Sequence, residues 1–82
     1  MTLKPEPEPL GPYTATVLAE FPRRHDLTVR VSRVDVEGVP YLDIREWVPS
    51  IQQWGRGVLL PSAIAKQVGV VVTEETADVD DA

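Results

Sequence analysis

Tyr41-Leu42-Asp43-Ile44-Arg45-Glu46-Trp47 is the stretch on which the reading of this chain turns. Successive side chains of a strand point to opposite faces. Tyr41, Asp43, Arg45 and Trp47 therefore share one face, and Leu42, Ile44 and Val48 the other. The second set is apolar and reads as the core face. The first carries two aromatic rings around a guanidinium, the type of surface on which unpaired bases stack while phosphates are neutralised. The plainer alternative is a solvated strand surface with a cross-strand ion pair. Asp43 and Glu46 fall on opposite faces and cannot work as a paired acid and base. Asp43 is expected to pair with a neighbouring arginine.

Working outward, Glu37-Gly38 followed by Pro40 marks a tight turn, which makes 27–48 a hairpin. In its first arm the apolar parity switches from Leu27, Val29 and Val31 to Val34 and Val36. That predicts a bulge or bend, or an exposed apolar face. Residues 13–21 alternate, with Tyr13, Ala15, Val17, Ala19 and Phe21 on one side. Trp54-Gly55-Arg56-Gly57 leads into Val58-Leu59-Leu60, as a bulged start of a fourth strand or a loop whose backbone meets a ligand. Pro61 and Ser62 open a helix with Ser62 as N-cap, and Gly69 is expected to stop it. Four strands then a helix, without βαβ alternation, give an α+β fold: a curved four-stranded antiparallel sheet followed by a C-terminal helix.

The 82 residues allow one domain, and the absence of cysteine removes disulfides and thiolate metal sites. A core of this size yields about 3–5 kcal/mol unless reinforced, so a homodimer is expected. One histidine, His25, makes a histidine metal site improbable; no cofactor and no metal are expected. The net charge of −5 is carried by the ends. Residues 1–12 read as a flexible Pro-rich arm, 13–73 as the domain, and 74–82 as an acidic disordered tail. The middle is close to neutral, which excludes strong polyanion binding by bulk charge. No phosphate loop or nucleophile elbow occurs, and nothing supports an enzyme. No apolar run is long enough to span a membrane and no signal peptide opens the chain, so a soluble intracellular protein is expected.

Gly38, Leu42-Asp43-Ile44-Arg45-Glu46-Trp47 and Gly55-Arg56-Gly57-Val58-Leu59-Leu60, followed by a helix, resemble the C-terminal domain of the positive cofactor four family of transcriptional coactivators. The resemblance covers residues 27–68. It implies a homodimer that binds single-stranded DNA or RNA without sequence preference, with the transcription machinery as a further partner. It also implies a nuclear setting in a eukaryote and a cytoplasmic, nucleoid-associated one in a bacterium or phage. By position, Arg45 matches the family's sheet arginine that contacts nucleic acid. Trp47 or Val48 falls at the aromatic pair after it, and Arg56 at the basic residue of the loop before the fourth strand. Tyr41 and Trp54 add stacking surface, and Arg30 and Arg33 complete the candidate set. Glu37 and Val39 stand where the family places lysines, which predicts weaker, less salt-dependent binding.

Two other readings stay open. Trp54 to Val70, with its Gly-basic-aliphatic-Pro-helix-Gly order, resembles the AbrB-like swapped-hairpin regulators and antitoxins that bind duplex DNA. The Pro-rich arm, the acidic tail and the aromatics also permit a protein-interaction module with no nucleic-acid role.

Overall fold

The computed structural model describes residues 2–79, with side chains from residue 7 onward. Five strands and one helix follow in order: β1 (Thr2–Leu10), β2 (Tyr13–Arg24), β3 (Leu27–Val36), β4 (Val39–Val48), β5 (Gln53–Pro61) and α1 (Ser62–Glu75). The strands form one antiparallel meander in the order β1-β2-β3-β4-β5. The architecture is α+β as expected, with one strand more than the four expected.

The extra strand comes from the segment read as an arm. Thr2–Leu10 is extended and pairs with β2 along the edge of the sheet. Proline lacks the N–H needed on the hydrogen-bonded side of a ladder, so Pro7 and Pro9 suit an edge strand with their donor-less side turned outward. The connection is Gly11-Pro12 between paired Leu10 and Tyr13, with Gly11 at φ +58°. A glycine first in a two-residue turn is a hairpin signal that the prolines obscured. The hairpin over 27–48 forms as expected. Its turn has Glu37 at φ +52° and Gly38 at φ +84°, as a type I′ turn requires.

The β3–β4 register runs unbroken from Thr28↔Trp47 to Val36↔Val39. The parity change in β3 is therefore no bulge: Val29 and Val31 face one side of the sheet, and Val34 and Val36 the other. The bulges lie elsewhere. One is in β2 between Val17 and Ala19. The register also shifts near strand ends, between Thr2 and Glu6 and between Pro22 and Arg24, and a second mid-sheet bulge is in β5, where Arg45↔Gly57 gives way to Trp47↔Trp54. The β2 bulge moves Ala19 and Phe21 off the face of Ala15 and Val17 and puts Glu20 there. Bulges increase local twist, and these two help the sheet curl.

The curl decides which face is inside. The fully buried residues are Ala15, Val17, Ser32, Val34 and Asp43, all on one face. Tyr41, Arg45 and Trp47 belong to that inner face. The expectation that Leu42, Ile44 and Val48 form the core is thus reversed: they are half-buried on the outer face. Period-two patterning separates the faces but not the direction of curvature, and the small residues of the Ala15 and Val17 rows let the sheet close on that side.

α1 also departs from expectation. It runs through Gly69 to Glu75, its N-cap is Pro61, and no side chain caps it. Val70, Val71 and Val72, beyond the expected stop at Gly69, are helical. Of the acidic tail, Glu74 and Glu75 lie in the helix and Asp78 in the turn after it. Asp80 and Asp81 lie outside the described residues. No residue of α1 is buried.

Candidate functional site

The register assembles a cluster at one end of the inner face. Glu20 lies across from Arg30, and Trp47 across from Trp54. Arg30 is also opposite Arg45, which makes Trp47 its diagonal neighbour, within reach of long side chains. The Arg30 guanidinium carbon sits 3.9 Å from the Trp47 ring centre and 5.3 Å from that of Trp54. The two indoles meet edge to face at 5.1 Å and 70°. Such cation–π contacts contribute about 0.5–2 kcal/mol, more where water is excluded, and the Arg30 side chain is only 12% exposed.

Arg30 Nε donates to Glu20 Oε1 at 2.5 Å, whereas its Nη1 is buried with no partner. Trp54 Nε1 donates to the Pro9 carbonyl at 2.7 Å, joining β5 to β1 across the curl. That carbonyl is free because Pro9 turns its backbone away from β2. Glu8, Pro9, Arg30, Trp47, Pro49, Gln52 and Trp54 line an open cleft of about 440 Å³.

Arg45 is committed within the sheet. Its Nε and Nη2 donate to Asp43 at 3.0–3.2 Å, and Nη1 reaches the Gly55 carbonyl at 3.4 Å. Asp43 is fully buried, so the expected pairing of Asp43 with an arginine holds in a buried setting. A buried carboxylate needs its partner and its hydrogen bonds. Gly57 packs directly against β4: a Cβ there would lie 2.6 Å from Arg45 Cβ and 2.5 Å from the Ile44 carbonyl oxygen.

The structure divides the seven expected site residues between two faces. Arg30, Tyr41, Arg45, Trp47 and Trp54 lie on the inner face. Arg33, paired with Leu42, lies on the outer face. Arg56 is also there, 90% exposed and 3.7 Å from Glu46, which Arg23 holds at 2.6 Å. Residues that the sequence reading missed are Glu20, hidden by the β2 bulge, and Glu8 and Pro9, assigned to the arm. Gln52, which carries no pattern signal of its own, is held at φ +51° in the β4–β5 loop. That loop is tied to the β2–β3 turn by Asp26, which accepts from the Ser50 hydroxyl and, at 3.0 Å, from the Ser50 N–H. These bonds, the hydroxyl's first, lower the Asp26 pKa below the ordinary carboxylate value.

Among the described residues, no group of three or more His, Asp or Glu side chains could hold a metal ion. No helix there is long and apolar enough to cross a membrane. No known protein family, curated protein or solved structure matches the chain.

Proposed function

We propose that this protein binds single-stranded DNA or RNA as a homodimer, with little sequence preference, and acts in transcription regulation. One observation carries the reading. Both tryptophans of the chain and Arg30 converge on an open cleft, and an indole face beside a guanidinium stacks any base. Each stacked base contributes about 1–3 kcal/mol.

The carboxylate partners shape the mechanism. Arg30 is paired with Glu20 and Arg45 with Asp43, so the inner face is close to neutral. Arg45 acts mainly as the support on which β4 presents Trp47. Binding then rests on stacking more than on counterion release, and its logarithmic salt slope stays shallow, equivalent to about one or two phosphate contacts. The test is anisotropy of labelled oligo(dT), RNA and duplex at two salt concentrations. Oligo(dT) binding tighter than duplex, with a weak salt response, is the expected result. Preference for duplex, or a steep salt response, contradicts the reading.

The same ion pairs favour a second reading, a protein-interaction module without nucleic-acid affinity. Its signature is no oligonucleotide binding even at low salt, where electrostatic attraction is strongest.

A further inference from the structure

The molecule exposes more surface than its mass requires. A compact 9.1 kDa monomer exposes about 4,900 Å². This chain exposes 6138 Å², so the excess exceeds the roughly 800 Å² per partner of a standard interface. Two apolar surfaces are among those left open. On α1, Ile64, Val68, Val71 and Val72 recur at i, i+4, i+7 and i+8, one side of a helix. They are 38–58% exposed. On the outer sheet face, the row Ala19–Val31–Ile44–Val58 lies beside Phe21–Val29, with Val58 46% and Phe21 49% exposed. A shallow depression of about 270 Å³ runs along it, bordered by Val29, Ile44, Glu46 and Arg56.

Charge complements shape. Glu74, Glu75 and Asp78 gather at the C-terminal end of α1, whose last turn has no basic residue. That end carries the negative pole of the helix dipole and disfavours anions. Cations from outside the helix would offset the cost; Arg33 and Arg56 are exposed on the outer face and can supply them, Arg23 being held by Glu46.

We propose that the outer sheet face of one copy is covered by α1 of a second copy, reciprocally, in a two-fold dimer. The apolar stripe lies in the depression and the acidic helix end reaches the arginines. A two-fold operator makes both contacts at once and leaves neither surface open. The two inner clefts remain accessible. This contact rests on the homodimer proposed above and is independent of the nucleic-acid reading.

The chain has no cysteine, so introduced thiols report on the interface directly. Val58→Cys and Val71→Cys alter exposed positions and leave the fold intact. Sedimentation equilibrium of the parent protein is expected to give a dimer. Under oxidation, a mixture of the two variants is expected to form a cross-linked pair, and neither variant alone. A parent that stays monomeric overturns the dimer and this contact together. A dimer whose mixed variants do not cross-link, or whose Val71→Cys protein cross-links to itself, overturns the contact alone.

Discussion

The two faces of this one sheet invert the usual division of labour. The inner face buries an aspartate and a serine among a few small apolar residues and half-buries two paired arginines. The outer face carries most of the branched apolar side chains and leaves them half-open. An arginine on the inner face is a structural member, whereas one on the outer face is a solvated charge. Residue type therefore does not say which face is structural; the partner on the neighbouring strand does.

The largest effect expected from breaking this contrast is at Arg45. Arg45→Ala leaves Asp43 buried without a partner and is expected to lower stability by about 3–5 kcal/mol, read as a fall in the urea midpoint. Gly57→Ala forces a methyl into the backbone and side chain of Arg45 and is expected to cost about 1–3 kcal/mol, with loss of amide protection between β4 and β5. Trp54→Phe keeps an aromatic ring, though a smaller one, and removes the bond to Pro9, an effect of about 1 kcal/mol for the hydrogen bond. Hydrogen exchange in β1 should rise in that variant while β3 is unchanged.

On the outer face, Arg56→Ala is expected to change stability by less than about 0.5 kcal/mol, because an exposed pair at 3.7 Å contributes little. The smallest effect concerns Asp26. Its folded pKa lies below the unfolded value, so its contribution is full above the ordinary carboxylate pKa and is lost as pH falls through the folded value. Asp26→Asn should flatten that part of the acid limb in denaturant titrations, and leave the pH dependence from 6 to 8 unaltered.

Much of the inner face was legible in the sequence. Period-two reading put Tyr41, Asp43, Arg45 and Trp47 together, and Glu37-Gly38 fixed the hairpin that sets their register against β3. Arg30 follows once that register is known, whereas Trp54 reaches the same cluster only through the bulge in β5. What the sequence concealed has physical causes. A bulge leaves no mark in hydrophobic alternation, so simple alternation puts Glu20 on the wrong face. Prolines in β1 look like a solvated arm, although an edge strand tolerates them on its outward side. Gly69 reads as a helix stop, yet a single interior glycine costs only about 0.5–1 kcal/mol. The direction of curl depends on which face carries the small residues that let it close, here the Ala15 and Val17 rows, and period two is blind to that.

The most direct test of the account uses the chain's own tryptophans, both of which line the cleft. Titration with unlabelled oligo(dT), followed by intrinsic tryptophan emission, is expected to give saturable quenching that Trp47→Ala weakens with little change in salt dependence. Oligonucleotide binding detected by anisotropy while the tryptophan emission stays constant would place the ligand elsewhere and contradict the account.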